Sequence, residues 1–212
     1  MALKRFHALE RKLEQNTQLK GQYSQFLQDI AQLFDPLGLL GPVIVKAKII
    51  MQQLWKLNSG WDESVPQSFH SAWENYRSQL PVLNNFKIAR KMIADSSSKI
   101  MLHGFCDASE GAYGACIYLR STNCSDLHTV RLVCSKSRVA PLKSVLLPRL
   151  ELCAAVLLSK LYQATTTALM IKFDSVRFWS DSTIALYWIH MSPHQLKTFI
   201  TNRVAEIQSN TE

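Results

Sequence analysis

Cysteine is scarce in this chain and carries no motif. Five residues in 212 (Cys106, Cys116, Cys124, Cys134, Cys153) form no C-x-x-C pair. That absence removes the ligand spacing of a structural zinc site. An odd, scattered set in apolar segments also argues against a disulfide framework, so these residues read as reduced core thiols. Long apolar runs are missing as well. The most apolar stretch, Leu37 to Met51, is interrupted by Gly38, Gly41, Pro42, Lys46 and Lys48, and falls short of the ~20 residues a membrane span needs. Lys4, Arg5, Glu10, Arg11 and Lys12 leave no room for the apolar core of a signal peptide, so a cytoplasmic or nuclear protein is expected, neither secreted nor membrane-bound. Acidic residues are outnumbered 16 to 24 by Lys and Arg, for a net charge of +8. That balance favours polyanionic partners, because a basic surface concentrates phosphate backbones around it.

What is present is a chain of 47% hydrophobic composition, long and apolar enough to build a core and too apolar to be disordered. Leu3, Phe6, Leu9 and Leu13 recur at helical spacing among charged residues, so residues 1–33 read as amphipathic helix with a break at Gly21. Phe34-Asp-Pro-Leu-Gly38 is turn chemistry. Helices are predicted from Pro42 to Leu57 and from Pro66 to Leu80, the second ended by Pro81. Asp95 to Lys99, with three consecutive serines, reads as a linker. After it the pattern changes to strands: Ile100 to Asp107, Gly114 to Arg120 and Thr129 to Ser135, the first two joined as a hairpin through Ala-Ser-Glu-Gly. Pro148 opens a helix reaching Met170. A strand from Val176 to Ser180 and a helix from Ser182 follow. The order β-β-β-α-β-α predicts an α/β mixed sheet with flanking helices, preceded by a mainly helical N-terminal region.

Three carboxylates occupy informative places. Asp107 ends an apolar strand, where a charge is costly unless something satisfies it; it would also serve as a turn residue. Glu151 shares a helical stripe with Ala155, Leu158 and Tyr162, which should pack on the sheet, although an acid near a helix N-terminus also suits the macrodipole. Asp181 lies where a strand passes into a helix and could be a cap. Taken together they point to chemistry. If the strands ending in Asp107 and Asp181 are parallel neighbours, their ends lie about 5 Å apart, at the edge where open α/β sheets place ligands. Three such acids call for a divalent cation. Two ions about 4 Å apart would activate water and stabilise the leaving oxygen in phosphodiester hydrolysis.

Four segments in order carry a resemblance: His103-Gly-Phe-Cys-Asp-Ala-Ser-Glu-Gly-Ala-Tyr-Gly-Ala, Lys136-Ser-Arg-Val-Ala-Pro-Leu-Lys, Pro148-Arg-Leu-Glu-Leu-Cys-Ala-Ala and Trp179-Ser-Asp-Ser-Thr. Together they resemble the Pol polyprotein of BEL/Pao-type retrotransposons, also described as the Pao retrotransposon peptidase family. Upstream, Phe34-Asp-Pro-Leu-Gly-Leu-Leu-Gly-Pro resembles the region after that family's polymerase palm. The resemblance implies a ribonuclease H-like fold that cleaves the RNA strand of an RNA–DNA hybrid. It implies Asp107, Glu151 and Asp181 as catalytic and metal-binding residues and magnesium or manganese as cofactor. Nucleic acid, in the form of RNA–DNA hybrid, would be the partner, together with other Pol parts. The order Asp, Glu, Asp resembles ribonuclease H rather than the related integrase core, which uses Asp, Asp, Glu. The implied domains are residues 1–33, similar to an early reverse transcriptase piece, 34–95, a helical thumb- or connection-like region, and 100–212, the ribonuclease H-like domain.

Departures from the family qualify this expectation. No Tyr-x-Asp-Asp occurs, which excludes reverse transcription. Asp181-Ser-Thr is neither Asp-Thr-Gly nor Asp-Ser-Gly, which argues against an aspartic peptidase. The sequence stops at Asn202-Arg-Val-Ala-Glu-Ile-Gln-Ser-Asn-Thr-Glu, before the family's last strand, its His-bearing loop and a fourth Asp, so a C-terminally truncated domain is expected. That leaves a catalytically dead nucleic-acid-binding remnant as the alternative.

Lys136, Arg138, Lys143 and Arg149 form a basic stretch between the third strand and the long helix, suited either to hybrid phosphates or to a solvated loop. Ser109 and Ser182 are read as caps rather than substrate contacts. Trp179, Tyr187 and Trp188 are read as core. His190 and His194, near Pro193, are read as surface residues of a turn.

Overall fold

The computed structural model describes residues 35–56, 66–94 and 97–211. The reading of residues 1–33 as amphipathic helix lies outside them. The chain divides into two compact units, one of residues 1–34 with 46–86 and the other of 35–45 with 87–212. Helix α1 (Gly41–Lys56) crosses that division, and α2 (Gln67–Gln79) runs into a 3-10 turn, Leu80–Asn85, that accommodates Pro81. In the first unit Trp73 and Tyr76 stack 5.4 Å apart, and Tyr76 is buried.

The second unit holds β1 (Ser97–Ala108), β2 (Ala112–Asn123), β3 (His128–Val139), α3 (Leu147–Leu169), β4 (Ser175–Trp179), α4 (Thr183–His190) and α5 (Thr198–Thr211). The sheet order is β3-β2-β1-β4, with β1 antiparallel to β2 and parallel to β4. This mixed four-stranded sheet with flanking helices is the α/β arrangement predicted. Two element readings need correction. Ser97 to Lys99, read as linker, belong to β1, where Ser97 pairs with Asn123 and Lys99 with Thr122; pairing along β2 outweighs the low strand propensity of serine. Lys136 and Arg138, read as following the third strand, lie within β3.

Alternation on β1 and β2 decides which face is core. Leu102 and Cys106 on β1, with Ala115, Ile117 and Leu119 on β2, are buried beneath α3. The helix answers with Leu150, Leu152, Ala154, Ala155, Leu157 and Leu158. Each fully buried leucine contributes about 2 kcal/mol by area. Pro148 sits in the first turn of α3, where its missing N–H costs nothing. Met170 closes the helix in the left-handed region, its N–H donating to Thr166 O at 3.2 Å. Gly104 allows the close approach between layers: a Cβ there would stand 2.7 Å from Leu158 Cδ1 and 2.8 Å from Phe178 Cδ1.

The helix predicted from Ser182 is α4, and a further helix follows the turn at Pro193. The first stops at His190, and the chain passes through the 3-10 turn Pro193–Gln195 into α5, because proline cannot continue the hydrogen-bond ladder. Ile200, Val204 and Ile207 on α5 are buried in the core formed with α3. Gln208 Nε2 donates to Ile189 O at 2.9 Å and ties α5 to α4.

The outer edge of β3 is covered by the turn preceding α1. Asp35 accepts from the N–H groups of Leu39 and Leu40 at 2.8 and 2.6 Å, and Gly38 takes φ +73°. Ser135 N donates to Leu37 O at 2.8 Å, Ser135 Oγ donates to Gly38 O, and Ser137 Oγ donates to Gly41 O at 3.3 Å. Over Ser135–Ser137 the edge is thereby not free to pair with another chain.

Candidate active site

The parallel pairing of β1 with β4 brings the acids together. Phe105 pairs with Trp179, and two residues on, Asp107 stands near the end of β1 and Asp181 just past the end of β4. Neighbouring strands run about 5 Å apart, so both carboxylates leave the sheet at one corner, and both are exposed. Asp107 Oδ1 accepts from Ala108 N at 2.6 Å. Between them Cys106 turns inward, its Sγ 3.8 Å from Trp179 O. Burial pushes this thiol up to about 11; a hydrogen bond with Ser180 opposes the rise, and the negative charges of Asp107 and Asp181 add to it. Cys106 is therefore a neutral core thiol and no competitor for a metal. The reduced-thiol reading holds for it, whereas Cys124 is exposed on the β2–β3 turn.

Glu151 reaches the same corner from the second turn of α3. Its carboxylate accepts from Ser182 Oγ, the residue directly after Asp181. Ser182 Oγ also accepts from Ala185 N at 3.1 Å, capping α4. One hydroxyl can do both, since it has one donor and two acceptor positions. The cap of α4 is thus Ser182 and not Asp181, which leaves the Asp181 carboxylate without that structural task. Capping by Ser182 agrees with its sequence reading. Its hold on Glu151 was not foreseen, and a serine beside a site aspartate was the only available signal. Ser109 closes the β1–β2 hairpin through Ala112 at 3.1 and 3.3 Å, also as a cap.

The donor set is all oxygen and suits a hard cation such as magnesium or manganese in kind. The side chains are not gathered on a single point: among the described residues no three His, Cys, Asp or Glu groups converge to hold a metal ion. Glu151 points to Ser182 instead.

Beside this corner the sheet face opposite α3 carries aromatic residues. Phe105 and Trp179 stack at 6.4 Å and 13°, and Tyr118 meets Phe105 edge-on at 5.9 Å. Trp179 is 48% exposed and Tyr187 66%, so neither is the core residue its strand or helix position suggested. Only Trp188 packs on the core. The reason is that α3 covers one face of the sheet alone, and Trp179 lies on the other. Trp179 Nε1 donates to His103 Nδ1 at 3.4 Å, and His103 has its pKa lowered by burial and then by Arg177 and Arg120. His190 and His194 are exposed, as expected of turn residues.

A mixed sheet ordered β3-β2-β1-β4 under a long helix, with acids at two parallel strand ends, defines a ribonuclease H-like domain. The family described as Pao retrotransposon-like RNaseH-like domain matches residues 23–182, a span that contains Asp107, Glu151 and Asp181. The chain belongs to that family. No curated protein matches it. No helix among the described residues is long and apolar enough to cross a membrane.

Proposed function

We propose that this ribonuclease H-like domain binds RNA–DNA hybrids as part of a retrotransposon Pol polyprotein and hydrolyses their RNA strand, in the cytoplasm or nucleus, alongside other Pol parts. The observation that carries the reading is the shared corner: Asp107 and Asp181 on adjacent parallel strand ends, with Glu151 linked to Asp181's neighbour Ser182. Asp107 and Asp181 would hold magnesium or manganese, with Glu151 joining them. The ion would supply an activated water and charge stabilisation at the scissile phosphate. The chain's own contribution is positional. Strand pairing holds the two aspartates, and the Ser182 hydroxyl holds Glu151 beside them. The basic surface draws the hybrid's backbone in.

Cleavage of a labelled RNA–DNA hybrid in magnesium or manganese tests the reading. The wild type is expected to cleave and Asp107→Asn to lose cleavage while still binding. Absence of both cleavage and metal-dependent shifts at Asp107, Glu151 and Asp181 would refute the enzymatic part.

One observation favours a second reading, a nucleic-acid-binding domain without catalysis. Glu151 is engaged by Ser182, and among the described residues no three donors converge. This reading expects salt-dependent hybrid binding that is unchanged by Asp107→Asn and accompanied by no cleavage.

A further inference from the structure

The two edges of the sheet differ. The strap before α1 occupies β3 over Ser135–Ser137. On the other side β4 ends the strand order, and no strand among the described residues pairs with its outer edge. Asp174 N donates to Ile100 O at 2.8 Å. Backbone groups alternate in direction along a paired strand, so those of Asp174, Val176 and Phe178 turn toward β1 and those of Ser175, Arg177 and Trp179 turn outward. Among the described residues the outward N–H groups of Ser175, Arg177 and Trp179, and the C=O groups of Ser175 and Arg177, have no backbone partner. Trp179 O meets only Cys106 Sγ, at 3.8 Å.

Little guards this edge. Edge strands are commonly blunted by proline, lysine or a bulge, and Ser175-Val-Arg-Phe-Trp179 carries none of them, pairing with β1 without a register shift. Its side chains are accessible. Phe178 is 38% exposed, Trp179 48%, and Arg177 is exposed as well. Arg177 and Trp179 share the face opposite α3 with His103 and Phe105, their register partners on β1. Phe178 points the other way, its ring 5.1 Å from that of Tyr162 on α3.

We propose that the outer edge of β4 pairs antiparallel with β4 of a second copy of this chain. The inference rests on strand pairing and not on the proposed function. A two-fold axis at Phe178 keeps α3 on the same face of both sheets and sets each Arg177 opposite the partner's Trp179. Each such pair exchanges both its N–H···O bonds, as hydrogen-bonded antiparallel pairs do, and adds a cation–π contact, while the two Phe178 rings meet across the axis. An axis at Arg177 would instead oppose like charges, which is destabilising. Because the strap closes β3, association stops at a dimer and does not grow into a filament. A contact this short falls far below the ~20–30 residues a side of a standard interface, so the dimer is weak. Each copy carries a net charge of +8, so screening by salt strengthens it.

Sedimentation equilibrium from about 2 to about 200 µM is expected to show monomer passing to dimer with a Kd of about 50 µM. The dimer should tighten several-fold as salt rises from about 0.1 to about 0.5 M. Amide exchange reads the edge directly. The Arg177 and Trp179 N–H groups should slow as protein concentration rises, whereas those of Val176 and Phe178, which face β1, should not change and report that each variant is folded. Trp179→Lys puts a lysine opposite the partner's Arg177 and should weaken the dimer about tenfold or more. Adding Arg177→Glu makes both pairs attractive and should bring affinity back to within about threefold of wild type. Val130→Lys, on β3, should leave the dimer as it was. A wild type still monomeric at about 200 µM, or a dimer whose Arg177 and Trp179 amides exchange freely, overturns the proposal. So does a dimer that survives Trp179→Lys or is abolished by Val130→Lys. A folded double variant that stays monomeric overturns the register centred on Phe178.

Discussion

Removing the Ser182 hydroxyl should cost this domain two interactions whose energies can be separated. The first is the α4 cap, in which Ser182 Oγ accepts from Ala185 N at 3.1 Å. Loss of such a cap to alanine costs about 1 kcal/mol. The second is the hydrogen bond donated to the Glu151 carboxylate. Bonds to charged groups contribute about 1.5–3 kcal/mol, and the lower end applies because Glu151 is only half-buried. Ser182→Ala is therefore expected to destabilise the domain by about 2.5 kcal/mol. In a Glu151→Ala background the same change should cost only the cap, about 1 kcal/mol, which leaves a coupling near 1.5 kcal/mol. Urea denaturation of the four proteins of the double-mutant cycle gives that number. Amide exchange at Ala185 reports the cap alone and should accelerate equally in both backgrounds. Effects that add to within about 0.5 kcal/mol would show that Ser182 does not hold Glu151 and refute the geometry from which the site is argued.

Gly38→Ala should destabilise the second unit by more than a surface change does. Gly38 has φ +73°, and an added Cβ would overlap the backbone carbonyl of Ser135. Strain of about 1 kcal/mol combines with loss of the strap on β3, and faster amide exchange at Ser135 would reveal it. A mutant with wild-type exchange there would contradict the strap. Stability should also fall at alkaline pH through Cys106. The thiol titrates near 9 when unfolded and is pushed up to about 11 in the fold. The neutral form is thus the native one; below pH 9 the group has no effect, and between 9 and 11 the unfolded state releases the proton first. The expected loss is about 2.3 kcal/mol by pH 11. Cys106→Ala should lack this share of the alkaline slope, and an identical pH dependence in both proteins would count against it.

Much of the fold and of the site was legible in the chain because its signals are local. The apolar stripe of α3 repeats at helical spacing, Pro148 marks its start, and Ala-Ser-Glu-Gly forms a two-strand turn whatever surrounds it. The three acids stand at element ends that a reader can find from those signals alone, and the family's segments bracket them. Residues 97–99 were misread because a serine run has loop propensity and only pairing with Asn123 and Thr122 makes it strand. Trp179 was misread because alternation tells which residues share a face and says nothing of whether that face is covered.

Sequence alone thus determined the kind of domain, the order of its elements and the acids it would place at strand ends, since periodicity, turns and motif order are properties of neighbouring residues. Tertiary structure decided the rest. Parallel pairing of β1 with β4 set Asp107 beside Asp181. Packing of α3 on the sheet brought Glu151 to Ser182, the residue after Asp181. Such contacts join residues far apart in sequence, and only a folded core fixes which of them meet.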